Sequence, residues 1–118
     1  MKTIEEIVSV LTDEQKQLLK DTIVYGSWGD CDYEFIGQDG KPETDYACGY
    51  ITNYAKKAGH FSGRKVSEIF RSMYRRLGLV GGIGEIISHA SDWWEDGSGD
   101  VLFIRDKYVR LFEQWSKE

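Results

Sequence analysis

The chain has 118 residues, 41% hydrophobic and 14% aromatic, with fifteen Lys and Arg against twenty Asp and Glu for a formal net charge of −5. That apolar share excludes a globally disordered chain, and no 18-residue apolar run or basic-then-apolar leader marks a membrane span or signal peptide. We expect one soluble, cytoplasmic domain over residues 1–118, with Cys31 and Cys48 as free thiols.

Thr3 followed by Glu6 reads as a capping box, and Ile4, Ile7, Val8 and Leu11 repeat at helical spacing behind it. Thr12 with Gln15 makes a second box, which opens a helix through Leu18, Leu19 and Ile23. The spacing predicts a helical unit over 4–23, bent near Thr12. Residues 24–50 are glycine-punctuated, aromatic and acidic, and carry Pro42; a short strand over 33–36 and a turn in "GQDGKPE" are expected. "GYITNYAKKAG" suits a short helix burying Ile51, Tyr54, Ala55 and Ala58, with Gly59 as its left-handed cap.

Ser62 is read as the N-cap of the next helix, with Phe61 and Val66 as a hydrophobic staple and Val66, Ile69, Phe70, Met73 and Leu77 as its buried stripe. "LVGGIG" reads as a flexible connection. "EIISHASDWW" and "DVLFIRD" are β-prone runs joined by "EDGSG", a hairpin signal, and Tyr108, Leu111, Phe112 and Trp115 recur at the spacing of a closing amphipathic helix.

Resolved along the chain, the charge is uneven. Residues 56–76 hold seven cations (Lys56, Lys57, Arg64, Lys65, Arg71, Arg75, Arg76) against Glu68, leaving eight cations and nineteen anions elsewhere. Asp30, Asp32, Glu34, Asp39, Glu43 and Asp45 crowd residues 30–45, opposed there by Lys41 alone. Segregation of this kind makes strong local fields of both signs inside an acidic total.

The element order, with Ala55 and Gly59 at the small-residue and turn-glycine positions of two helices meeting across a short turn, resembles a winged helix-turn-helix domain over residues 4–106. The turn is one residue longer than the family's tightest form, since Val66 lies one place beyond the expected aliphatic position. The resemblance implies an α+β fold with a three-helix core, a β-hairpin wing at 85–106 and a C-terminal amphipathic helix. It also implies that the second helix enters the major groove of duplex DNA. Arg64, Arg71 and Arg75 then face away from the core stripe, with Lys56, Lys57, Lys65 and Ser62 positioning the nucleic-acid backbone. Glu68 is spaced for ion pairs with Arg64 and Arg71. The wing departs from the family pattern: Asp92, Glu95, Asp96 and Asp100 surround its tip, and Arg105 further along is the only cation offered there.

The leading expectation is a nucleic-acid-binding protein, in the role of a regulator; the alternative is an adaptor or inhibitor that docks a protein through the basic helix or the acidic surface. A homodimer through the closing helix would give two-fold recognition, although the same face suits the monomer core. Trp93 and Trp94 alternate across a strand, leaving one free to stack on a base or a partner. Other constellations are weaker. "SDWWEDGSGD" fails the acid spacing of an EF-hand, Cys31, Cys48, His60 and His89 lack the close pairs of a zinc site, and "GLVGGIG" lacks the Lys-Ser/Thr of a phosphate loop. No metal, cofactor or enzymatic activity is expected.

Overall fold

A computed structural model describes residues 2–91 and 100–118 of the chain. The capping boxes act as read and open two successive helices that part before Thr12. α1 (Ile4–Val8) is opened by Thr3 and α2 (Asp13–Tyr25) by Thr12, each with the reciprocal side-chain and backbone bonds of a full box. Leu18, Leu19 and Thr22 are fully buried on one side of α2.

The acidic, glycine-rich segment holds more structure than the expected four-residue strand. It forms a long hairpin, β1 (Ser27–Ile36) and β2 (Pro42–Ile51), paired antiparallel from Asp30↔Cys48 to Ile36↔Pro42. In β1 the alternation "DCDYEF" sets Cys31, Tyr33 and Phe35 on one face and Asp30, Asp32 and Glu34 on the other. The turn at 37–41 closes as expected, with the Gly37 N–H donating to Lys41. Cys31 and Cys48 are both free; the register places them on opposite faces of the sheet.

β2 runs on to Ile51, so the helix expected from residue 49 begins late and winds as a 3-10 helix, η1 (Thr52–Ala58). Gly59 does cap it in the left-handed conformation (φ 81°), but the tighter winding leaves Tyr54 exposed, with Lys57 Nζ 4.3 Å from its ring centroid. α3 spans Val66–Arg76, and its N-cap is Lys65 rather than Ser62. The chain turns again after Ser62, where Gly63 has φ 74° and the Arg64 N–H donates to Phe61, so the Ser62 hydroxyl faces the Gly59 carbonyl at 3.4 Å. Phe61 and Val66 are both buried without forming the expected staple, because the helix starts three residues later than a Ser62 cap would set it. Tyr74 is buried as well, stacked against Phe70. α3 closes in a Schellman arrangement: Gly78 (φ 75°) donates to Arg75, and Leu79 donates to Tyr74. "LVGGIG" is a tight turn, not a loose connection. Val80 and Ile83 exchange both backbone bonds across Gly81 and Gly82, whose φ values are 60° and 80°.

The expected second hairpin exists, with β3 (Ile87–Ala90) antiparallel to β4 (Val101–Arg105). It does not project as an isolated two-stranded ribbon. β4 also pairs with β2, giving one antiparallel sheet in the order β1-β2-β4-β3. The expected acidic tip (Asp92, Glu95, Asp96), the calcium-like loop and the Trp93–Trp94 pair lie outside the described residues, apart from Asp100.

The fold is α+β. One face of the sheet contributes Cys48, Tyr50, Ile87, Leu102 and Ile104 to a core shared with the helices. The opposite face gathers Phe35, Ala47, Val101 and Phe103 into a second cluster, where the Tyr33 ring stacks on Phe103 at 3.8 Å. Around that cluster the sheet curls until its ends meet: Ile36 N–H donates to Gly84, and Ser88 Oγ donates to Glu34 O at 2.7 Å. α4 (Asp106–Ser116) turns its Tyr108, Phe112 and Trp115 into the shared core. Its apolar side is thereby used within the chain, so the expected dimer face is not open. Among the described residues no helix is long and apolar enough to cross a membrane.

Candidate functional site

The helical core leaves one long face of α3 in solvent. Val66, Ile69, Phe70, Met73 and Tyr74 point inward, and Ser67, Glu68, Arg71, Ser72, Arg75 and Arg76 are exposed. Arg71 and Arg75 sit one helical turn apart on that face and, among the described residues, make no ion pair. The other cations are more committed. Arg64 and Lys65 precede the helix; Arg64 Nη1 lies 3.0 Å from Glu14 Oε2 on α2, and Lys65 Nζ is 4.0 Å from Glu68 Oε1. The expected pairing of Glu68 with Arg64 and Arg71 therefore does not form, because a helix starting at Val66 leaves Arg64 off its surface. Arg76 reaches around to the turn between α1 and α2 and donates to the Val10 carbonyl at 3.2 Å, at the rim of a groove of about 520 Å³ lined by Ile7, Leu77, Leu79 and Ile83.

Lys56 and Lys57 are exposed on η1, and Ser62 is exposed in the turn. The seven residues proposed from sequence thus all reach solvent on η1, the turn and α3. Ser62 lies three residues before the N-cap Lys65, away from the N-terminal amides it was expected to present.

What positions this turn was not visible in the spacing of residues. A stripe of α2 runs along it: Glu14 holds Arg64, and one turn further Gln17 and Asp21 hold His60. Asp21 Oδ2 accepts from His60 Nδ1 at 2.8 Å, while Oδ1 accepts from Gln17 Nε2 at 2.9 Å. The carboxylate is 7% exposed and the imidazole 54% exposed, so the pair runs from the core to the surface. The sequence signal was Asp21 itself, an acid set among the core positions Leu18, Leu19, Thr22 and Ile23. Gln15, also buried, uses its Nε2 to donate to Ser72 Oγ at 3.0 Å and so ties α2 to α3.

Arg105, read as the wing's one cation, is buried and engaged through all three of its nitrogens. Its Nε donates to Asp45 Oδ2 at 2.7 Å, Nη2 to Glu43, and Nη1 to the carbonyls of Glu85 (3.0 Å) and Ile36. The guanidinium holds the Asp45 carboxyl below its ordinary range. The acidic segment is therefore divided: Glu43 and Asp45 are bound to Arg105, whereas Asp30, Asp32 and Glu34 are exposed and, among the described residues, make no ion pair.

His89 packs on Tyr74, with ring centroids 4.0 Å apart, and its Nδ1 and the Tyr74 hydroxyl are both buried without a hydrogen-bond partner. Burial pushes its pKa below 6.5, with Asp100 opposing the shift, and pushes the Tyr74 phenol well up. Burial likewise raises both cysteine thiols, the opposite of the thiolate character that a nucleophile needs. Among the described residues no group of three or more His, Cys, Asp or Glu is placed to hold a metal ion. No known protein family, characterised protein or solved structure matches the chain.

Proposed function

We propose that the chain binds nucleic acid, duplex DNA in the first instance, through the outer face of α3 and the turn before it. In this reading η1, the turn and α3 act as a winged-helix-like reading unit, with β3 and β4 as the neighbouring hairpin. The observation that carries it is the pair Arg71 and Arg75, exposed one turn apart and drawn into no ion pair among the described residues, beside Lys56, Lys57 and Lys65. Two unengaged guanidinium forks on one helix face suit phosphates, or the O6 and N7 edge of guanine. Ser62 and Arg64 border that face, Arg64 with Glu14 as its companion.

A second reading rests on a different observation. Asp30, Asp32 and Glu34 form an exposed row of carboxylates on β1, which fits an adaptor or inhibitor engaging a basic protein.

Fluorescence anisotropy of a labelled random-sequence duplex, titrated with protein at several salt concentrations, separates the two. Nucleic-acid binding is expected to weaken linearly in log K against log salt. Arg71→Gln with Arg75→Gln should shrink that slope by roughly 2, about 0.9 for each phosphate that is no longer neutralised. A flat titration at low salt overturns the nucleic-acid reading and leaves the acidic row as the surface to pursue.

A further inference from the structure

β1 and β3 are the outer strands of the sheet, and β1 is covered along only part of its length. Register decides which of its backbone groups face outward. Thr52 N–H donates to Asp100 O beyond the end of the β2–β4 ladder, so Tyr50 and Cys48, in phase with it, also turn their backbone groups toward β4. Gly49 and Ala47 alternate with them and turn toward β1, where Ala47 faces Cys31. Asp30, Asp32 and Glu34 are one place out of phase with Cys31 and direct N–H and C=O away from β2. Two bonds agree with that phase: Glu34 O accepts from Ser88 Oγ, and Ile36 N–H donates to Gly84. Toward the start of the strand this cover ends. The backbone groups of Asp30 and Asp32 make no hydrogen bond among the described residues, and both residues are exposed.

We propose that this stretch of β1 is a docking edge for an extended, basic segment of another protein, which adds to the sheet as an antiparallel strand beside residues 30–33. The inference rests on the acidic-row reading above and names its partner; it is independent of the α3 surface. An added strand exchanges N–H···O bonds with Asp30 and Asp32, and its residues directly opposite them stand on the carboxylate side of the sheet. Lys or Arg at those places meets the acids across the ladder. The residues between them lie over Cys31 and Tyr33, which are partly buried against the second cluster, and suit apolar side chains. The same charges turn away the nearest competitor for an open edge. A second copy of the chain pairing β1 against β1 would set carboxylate against carboxylate, the arrangement that keeps identical edges apart. The cations of residues 56–76 cannot fill the place either, since η1, the turn and α3 hold them in non-extended backbone.

The test is the anisotropy of a labelled peptide, acetyl-Lys-Val-Lys-Val-Lys-Val-Lys-amide, titrated with the protein at low salt. Beside it runs the same peptide N-methylated at every lysine, which keeps the charges but removes the N–H groups on the edge that would face β1. The unmethylated peptide should bind about thirtyfold more tightly, the effect of two ladder hydrogen bonds. Asp30→Asn with Asp32→Asn, isosteric changes at exposed positions, should weaken it about fivefold. Amide exchange followed by NMR should show new protection at Asp30 and Asp32, with Cys31 and Tyr33, already bonded to β2, little changed. Equal binding of the two peptides, or binding without protection at Asp30 and Asp32, overturns strand addition and leaves the acidic row as a contact surface. No binding of either peptide at low salt overturns both.

Discussion

Gln15 serves two elements with one amide. Its carbonyl oxygen accepts the Thr12 N–H at 2.9 Å to complete the cap of α2, and its nitrogen donates to Ser72 on α3. Gln15→Ala is expected to lower unfolding free energy by about 1–2 kcal/mol, and Ser72→Ala by less, since it removes only the cross-helix bond. Urea unfolding of both and of the double variant should give a coupling of about 0.5–1 kcal/mol; strict additivity would deny the bond. His89 makes a pH prediction. Its native pKa lies below 6.5, so as pH falls through that value the unfolded chain takes up the proton first and stability drops. Thermal unfolding between pH 7 and 5 should show the loss, and His89→Phe, which keeps the ring contact with Tyr74, should remove it. Asp45 acts lower, its contribution being lost only as pH falls below its ordinary 3.8. At this scale the capping residues Thr3 and Thr12 were legible because their partners lie three positions away. The partners of Arg105 and Asp21 were not: Arg105 finds Asp45 at a separation of 60 residues and Asp21 finds His60 at 39, and local spacing names neither partner.

Among the elements, α4 was readable in full, because four apolar residues at helical spacing need only one face to cover. The β1–β2 hairpin was largely hidden. Its alternation was present in "DCDYEF", but Asp, Glu and Gly are poor strand formers and masked a pattern that burial of Cys31, Tyr33 and Phe35 enforces. η1 departs from the expected α-helix because its apolar spacing suits either winding, and the continuation of β2 to Ile51 decides how much chain is left. The same hairpin holds an element-scale test. Ser88 Oγ donates to Glu34 O and accepts from Gly84 N–H at 3.2 Å, so one hydroxyl joins β3 to the end of β1. Ser88→Ala should cost about 2–3 kcal/mol by leaving two buried backbone groups unsatisfied. Amide exchange at Gly84 and Ile36 should accelerate more than exchange in α2; a uniform change would deny a local latch.

For the whole molecule, the charge segregation seen in the sequence becomes separate surfaces, with cations along η1, the turn and α3 and exposed carboxylates along β1. The α+β class was legible from alternating helical and β-prone runs, but the strand order was not, since nothing local says that β4 enters between β2 and β3. That insertion has a consequence for how the chain is made. During synthesis the first hairpin is complete once Ile51 has emerged, yet its inner edge stays unpaired until Val101–Arg105 arrives, and the shared core waits longer still for α4. The sheet is therefore assembled from distant parts, a high-contact-order topology in which loop closure precedes the reward. A nascent chain stopped before residue 101 would present β2 as a sticky edge bearing Ala47, Cys48 and Tyr50, so the late-arriving β4 is what protects the first hairpin from its neighbours on the ribosome.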